Sequence, residues 1–221
     1  MVGTDILAEE MTLKSHYVYV VDDDRDVRRS LSFMLGAAEI KSHPYGSGTD
    51  FLDALPDLEP GCVLLDLRMP QMDGFHVMSA LKERNIDWPV VVMTGHGEVP
   101  VAVRAMKMGA VDFIEKPFSE QALLGCFQQA FALLEERAVS GRRKREAHER
   151  AALLTAREKE VLAALVAGQS NKQIAQSLGI SLRTVEMHRG NMMDRLGASS
   201  LAEALTLALE AGVQPSTEKA N

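Results

Sequence analysis

Short apolar runs alternate with amphipathic stretches along the first 135 residues of the chain. Tyr17–Val21, Cys62–Leu67, Val90–Thr94 and Asp112–Glu115, with a weaker run near Ile40–Tyr45, have the length and composition of buried strands. Between them, Asp24–Ala38, Ser47–Leu55, Gly74–Arg84 and Val99–Met108 carry apolar residues at helical spacing, and a fifth helix starts near Ser119. Five strand–helix pairs in series predict an α/β unit, a doubly wound five-stranded parallel sheet with helices on both faces. Right-handed crossovers leave few other arrangements. In such a sheet, function sits at the carboxyl ends of the strands.

From about Leu153 the pattern becomes all-helical. Thr155 and Glu158 form a capping box ahead of Ala156–Ala167, and further helices read as Asn171–Leu178, Leu182–Leu196 and Ser200–Ala211. Gly168, Gly179 and Gly197 follow the first three, where helices end in a left-handed residue. Between the units, Leu123, Leu124, Phe127, Phe131 and Leu134 keep helical spacing, so the fifth helix runs on toward Arg137. Gly141 leaves two options for the join, one long helix or a hinge. The chain thus divides into a tail (1–15), the α/β unit (16–135), a basic helical linker (136–152), a small four-helix unit (153–212) and a second tail (213–221).

Over 221 residues, 46% apolar and 25% charged is the balance of a globular protein with a core. The longest apolar runs, such as Val90–Met93, fall far short of the roughly 18–20 residues that cross a bilayer. The N-terminus carries Asp5, Glu9 and Glu10 where a signal peptide has basic and then apolar residues. Cys62 and Cys126, both in apolar surroundings, read as reduced thiols, with a disulfide as the alternative. A cytoplasmic protein without membrane contact is expected. The net charge of −7 is unevenly placed: residues 1–131 hold 11 Lys/Arg against 20 Asp/Glu, and residues 132–221 hold 13 against 11. The halves should meet different partners. The run from Arg137 to Arg157 has seven basic side chains opposed only by Glu146 and Glu149, which fits either a solvated helix face or a nucleic-acid contact.

The predicted strand ends collect unusual residues. Strand one ends in Asp22-Asp23-Asp24, strand three in Asp66-Leu67-Arg68, strand four in Thr94 and strand five in Glu115-Lys116-Pro117. Adjacent ends bring carboxylates, a hydroxyl and an ammonium into one crevice. Clustered carboxylates repel one another and need a cation, and the hard oxygen donors suit Mg²⁺. Such an ion would neutralise an incoming phosphoryl group, leaving one carboxylate to attack phosphorus while Lys116 and Thr94 bind the peripheral oxygens. Taken singly, Asp24 could merely cap the first helix, and Lys116 and Thr94 could be ordinary surface and strand-end residues.

Asp22-Asp23, Asp66 followed by Met-Pro-x-Met-Asp-Gly, Thr94 and Lys116-Pro117 together resemble the receiver domain of two-component response regulators, over residues 17 to about 135. The strings Thr-Gly-His-Gly-Glu-Val-Pro and Ala-Val-Asp-Phe-Ile-Glu-Lys-Pro-Phe resemble the FixJ subgroup in particular. The resemblance implies a flavodoxin-like fold and makes Asp66 the phosphoacceptor for a sensor histidine kinase. It gives Mg²⁺ to Asp22, Asp23, Asp66 and the backbone carbonyl of Arg68, pairs Thr94 with Phe113 as switch residues, and predicts a cis Lys116–Pro117 bond. Phosphate on Asp66 would draw Thr94 inward and free space for the Phe113 ring, biasing a two-state equilibrium. Val103, Met106, Lys107 and Asp112 lie on the surface expected to respond and are candidates for a dimer face. Arg68 and His96, two residues beyond Asp66 and Thr94, are candidates to set the phosphate lifetime.

In the second unit, Asn171–Ser181 reads as helix, tight turn and helix start, with Ser181 capping a helix that bears Arg183, Thr184, Glu186, Met187, His188, Arg189, Asn191 and Arg195. A helix-turn-helix lays such a second helix in the major groove, although any two-helix hairpin gives a similar pattern. The wider string carries more: Leu-Thr-x-Arg-Glu-x-Glu-Val-Leu, Gly-x-Ser-Asn-Lys-x-Ile-Ala and Ser-x-Arg-Thr-Val-Glu-x-His-Arg resemble the LuxR/FixJ-type four-helix DNA-binding domain over about residues 153–211. That likeness makes Lys172, Arg183, Thr184 and Arg195 phosphate contacts and turns Glu186, Met187, Arg189, Gly190 and Asn191 toward bases or the groove floor. Glu186 could accept a hydrogen bond from cytosine N4. His188 reads as packing. Leu201, Leu205 and Leu209 read either as core or as a dimer contact.

The expected function is a transcription regulator, phosphorylated by its kinase in a Mg²⁺-dependent reaction, that dimerises on a two-fold symmetric double-stranded operator. RNA polymerase is a further candidate partner. A phosphohydrolase using Asp66 is the competing class, but enzymes resembling the haloacid dehalogenase type need an aspartate two residues on, where this chain has Arg68. A phosphate-independent DNA-binding or scaffold protein is the other.

Overall fold

The computed structural model describes residues 16–95 and 99–216, which form two compact units divided between Arg137 and Ala138. The tail predicted over 1–15, the last residues of the C-terminal tail and His96 lie outside the described residues.

The first unit is a parallel sheet of β1 (Tyr17–Val21), β2 (Lys41–Tyr45), β3 (Gly61–Asp66), β4 (Val90–Thr94) and β5 (Asp112–Glu115), in the order β2-β1-β3-β4-β5. The connecting helices are α1 (Arg25–Ala37), α2 (Gly48–Ala54, followed by a 3₁₀ turn Leu55–Asp57), α3 (Gly74–Glu83), α4 (Val99–Met108) and α5 (Glu120–Ala152). The period-two alternation of strands sorts the core into two layers. Tyr19, Val21, Val63, Leu65 and Val92 pack on Phe51 of α2, on Phe75, Val77 and Leu81 of α3 and on Ala105 of α4. Val18, Val20, Leu64, Val91 and Met93 pack on the opposite face, against Leu31 and Leu35 of α1 and Leu123, Phe127 and Phe131 of α5. Cys62 and Cys126 are buried free thiols in this second layer. Burial pushes Cys126 up to about 12 and raises Cys62 further still, so neither ionises at neutral pH.

Strand β3 begins one residue earlier than its apolar run and ends one earlier. Gly61 can join it because it has no side chain: a Cβ there would meet the Tyr17 carbonyl at 2.6 Å. Leu67 leaves it because its carbonyl accepts from the Gly74 amide. The weak edge strand β2 contains Pro44. Tyr45 turns its carbonyl to the Asp22 amide, so the neighbouring Pro44 directs the place of its missing N–H away from β1.

Helix α5 runs through Gly141 without a break, which decides for a continuous helix over a hinge. Its flanking arginines, lysine and alanines are good helix formers that offset the roughly 1 kcal/mol a helical glycine costs. No helix among the described residues is long and apolar enough to cross a membrane.

The second unit contains α6 (Ala156–Val166), α7 (Asn171–Leu178), α8 (Leu182–Leu196) and α9 (Leu201–Glu210) around a core of Val161, Leu162, Leu165, Ile174, Val185, Met192 and Leu196. Both hydrogen bonds of the Thr155/Glu158 capping box are present. Gly168, Gly179 and Gly197 all adopt positive φ. Leu205 is partly buried in the core, whereas Leu209 is exposed.

One close approach ties a helix to the end of β3. A Cβ on Gly74, the first residue of α3, would lie 2.6 Å from the Asp66 carbonyl and 2.9 Å from the Leu67 Cα. Gly74→Ala must therefore move backbone. We expect a loss of about 1–3 kcal/mol in the first unit, the range for overpacking. Urea unfolding followed by fluorescence of Trp88, the one tryptophan in the sequence, reads that unit.

Candidate functional site

The carboxyl ends of β1, β3, β4 and β5 converge as their register requires. Val21 pairs with Leu65, Asp66 with Met93 and Thr94 with Glu115, so Asp22, Asp66, Thr94 and Lys116 fall at one end of the sheet. Lys116 Nζ donates to Asp22 Oδ2 at 2.7 Å and to Asp66 Oδ2 at 2.9 Å. The other oxygens are held by backbone: Asp22 Oδ1 accepts from the Asp24 amide at 2.8 Å, and Asp66 Oδ1 from the Arg68 amide at 3.0 Å. The Lys116 amide donates to the Thr94 carbonyl, and the Lys116–Pro117 bond is cis, as the resemblance implies.

Burial differs sharply across the cluster. Asp22 is fully buried, the Asp66 side chain is 14% exposed and Asp23 is exposed. Burial raises the Asp22 carboxyl above its ordinary value, against the lowering effect of Lys116 and the Asp24 amide. For Lys116 burial works against the charge, but the hydrogen bonds it donates to two carboxylates overcome it and hold the ammonium above its usual range. Asp22, Asp23 and Asp66 each offer a carboxylate oxygen, all within 4.8 Å of one another, a hard donor set that fits Mg²⁺.

Thr94 is buried and Phe113 is 46% exposed, its ring standing outside the core. Val103, Met106 and Lys107 are exposed on α4. Asp112 is half-buried and accepts from the Phe113 amide at 2.8 Å. Asp24 caps α1 through the Asp26 and Val27 amides, so its role as a helix cap is real. Sequence patterning did not single out Arg28, whose Nη1 clamps the Asp22 carbonyl at 2.7 Å. Its target is a backbone atom, and no residue pattern announces that.

In the second unit, Ser181 caps α8 through the Thr184 amide, and Gly179 supplies the left-handed residue of the turn from α7. Val185, Met192 and Leu196 face inward, leaving Arg183, Glu186, Met187, Gly190 and Asn191 exposed. Lys172 is exposed on α7, and the Thr184 hydroxyl bonds to Ser181 Oγ at 2.7 Å. Two predicted contacts are engaged internally. Arg189 Nη1 donates to Asn171 Oδ1 at 2.5 Å, tying α8 to α7. Arg195 pairs with Glu158 at 3.3 Å and donates to the Leu153 carbonyl at 3.2 Å. Asn171 was not singled out from the sequence, because its role depends on the crossing of the two helices. His188 is half-buried near Glu158.

Two family models match the chain: the response regulator receiver domain over residues 18–128, and the luxR family of bacterial regulatory proteins over residues 152–208. The transcriptional regulatory protein FixJ of Bradyrhizobium diazoefficiens is 44% identical over 92% of this chain and 98% of its own. Among solved structures, the response regulator StyR aligns with a TM-score of 0.74 at 39% identity, covering 88% of this chain and 98% of its own. Full-length FixJ from B. japonicum aligns with a TM-score of 0.57 at 43% identity, covering 90% and 98%.

Glu158 joins the capping box to Arg195, and its titration gives a pH test. Burial alone would raise its carboxyl, but the Thr155 amide and hydroxyl, Arg195 and His188 hold it below the ordinary range. A carboxyl lowered on folding contributes stability above its unfolded value and loses it as pH falls through the folded one. Amide exchange in α6 should therefore show Glu158→Gln less stable than wild type at neutral pH. The gap should close on acidification below the usual glutamate range. Thr155→Ala should cost about 1 kcal/mol at neutral pH.

Proposed function

The chain belongs to the response regulators that join a receiver domain to a LuxR-type DNA-binding domain, and on that premise we propose that phosphorylation of Asp66 controls its binding to DNA. It is a DNA-binding transcriptional regulator of FixJ type. The proposed division is a receiver over 16–135, a linker over 136–152 and a DNA-binding domain over 153–212. The proposed partners are a sensor histidine kinase and a double-stranded operator.

The observation that carries the reading is the pair of hydrogen bonds that Lys116 donates to Asp22 and Asp66 beside the exposed Asp23. Lys116 holds Asp66 Oδ2 while the Arg68 amide holds Oδ1, which fixes the carboxylate plane at the mouth of the crevice. In the transfer, an Asp66 oxygen forms a bond to phosphorus as the bond from phosphorus to the donor breaks, and the leaving group departs with the electron pair. Lys116 then turns from the carboxylate to a phosphoryl oxygen, and the Thr94 hydroxyl moves to another. Asp22, Asp23, Asp66 and the Arg68 carbonyl would hold Mg²⁺, which when bound supplies charge neutralisation for the incoming phosphoryl group.

The ring of Phe113 then has room to move into the space that Thr94 leaves. The exposed side chains Val103, Met106 and Lys107, with Asp112 at the edge of β5, change their surroundings with it. A dimer through this face sets two copies of α8 on a two-fold symmetric site. Arg183 and Lys172 reach phosphates, Glu186, Met187, Gly190 and Asn191 face the groove, and Arg189 and Arg195 hold the reading helix in place from behind.

Acetyl phosphate with Mg²⁺ should yield a phosphate adduct by mass spectrometry and a dimer by light scattering. Asp66→Asn should give neither, and Asp23→Asn should need more Mg²⁺ for the same adduct. An adduct without dimerisation overturns the dimer step alone. Absence of any adduct, from acetyl phosphate and from histidine kinases alike, overturns control by Asp66. A second check is thermal: Mg²⁺ should raise the Tm of wild type by mass action, and the rise should shrink in Asp23→Asn.

A further inference from the structure

The four-helix unit is electrically neutral, which is an odd property for a DNA-binding domain. Residues 153–212 hold six Lys/Arg and six Asp/Glu. Half of those cations are already engaged within the unit: Arg157 with Glu160 at 2.6 Å, Arg195 with Glu158, and Arg189 with Asn171. That leaves Lys159, Lys172 and Arg183 to meet phosphates, few against a duplex that carries a charge every 1.7 Å or so of its axis.

The end of α5 carries what the bundle lacks. Residues 138–152 hold five Lys/Arg against two Asp/Glu, and they belong to the same compact unit as the bundle. Ala147 is fully buried, and Arg150 Nη1 donates to the Leu196 carbonyl, at the carboxyl end of α8, at 3.4 Å. This part of α5 is thus docked beside the reading helix. Arg143 and Lys144 lie four and three residues before Ala147, on the same side of the helix as the docked positions. Among the described residues, Arg142, Arg143, Lys144 and Arg145 are all exposed or half-exposed and have no ion-pair or side-chain hydrogen-bond partner. A run of four unpaired cations on a stable helix carries a cost in self-repulsion that an anionic partner would relieve.

We infer that Arg142, Arg143, Lys144 and Arg145 are a second DNA contact, gripping the phosphate backbone beside the groove that α8 enters. This inference rests on the DNA-binding reading of the second unit. The contact is to phosphates and so independent of sequence. It positions the unit on the duplex while α8 supplies the base readout. It also lengthens the protected stretch of DNA beyond what the bundle alone covers.

The test uses the full chain and a mixed-sequence duplex, with affinity read by fluorescence anisotropy over a salt series. In one variant all four residues are changed: Arg142→Gln, Arg143→Gln, Lys144→Gln and Arg145→Gln, glutamine being a good helix former. In a second, Arg142→Lys, Arg143→Lys and Arg145→Lys keep the charge. Each phosphate contact contributes about 0.9 to the slope of log affinity against log salt, so the glutamine variant should lose between about 1.8, for Arg143 and Lys144 alone, and about 3.6, for all four. The lysine variant should keep the wild-type slope. A glutamine variant with an unchanged slope overturns the inference. One that binds more tightly than wild type also overturns it, and assigns the segment to the acidic first unit instead. If the wild type binds no duplex at any salt, the DNA-binding reading itself fails.

Discussion

One ammonium group organises the first unit. Lys116 reaches Asp22 across 94 residues of sequence and Asp66 across 50, so the ends of three strands must meet for one nitrogen to hold both carboxylates. Putting Asp22 wholly out of water is unfavourable unless its oxygens are paired, and pairing of that quality demands fixed geometry. The strand order, the register and the turn into Pro117 all serve that demand. The sheet is therefore a rigid frame for an assembly of like charges that would repel if the frame loosened. A loop carrying the same residues would splay them into solvent.

Much of this was legible beforehand, for physical reasons. Strands β1 and β4 coincide with their apolar runs because a strand buried on both faces has no polar position to blur its ends. The helix ends of the second unit were equally plain, since Thr155, Ser181, Gly179 and Gly197 each satisfy a terminal backbone group locally. The illegible parts depend on long-range meetings. Arg28 aims at a carbonyl, Arg189 finds Asn171 across a helix crossing, and Arg195 finds Glu158 at a helix start. In each case the residue type was visible but its partner was not. The course of α5 through Gly141 was undecidable from pattern alone, because one glycine sets a modest cost against many favourable neighbours.

The two units treat charge in opposite ways. The first concentrates carboxylates and holds them with one lysine, an arrangement ready for a cation and an anion together. The second pairs Arg195 with Glu158 between α8 and α6 and Arg157 with Glu160 within α6, ties Arg189 to the neutral Asn171, and leaves its unpaired cations to the exposed face of α8, to Lys159 and Lys172, and to the last turns of α5. Arg189 commits a hydrogen bond to α7, and Arg195 an ion pair to α6. Geometry and electrostatic reach thus compete for the same side chains in a domain this small.

Pro44 bears on how copies of this chain can meet. The outer rim of β2 would otherwise present a row of amide donors to any extended segment nearby, the usual route to edge-to-edge aggregation. At Pro44 that row is interrupted, and β5 at the opposite rim offers only four residues. Lateral growth of the sheet is thereby discouraged at both margins. Self-association is left to side-chain surfaces, which can be tuned by one residue and reversed by one charge, as a ladder of backbone bonds cannot.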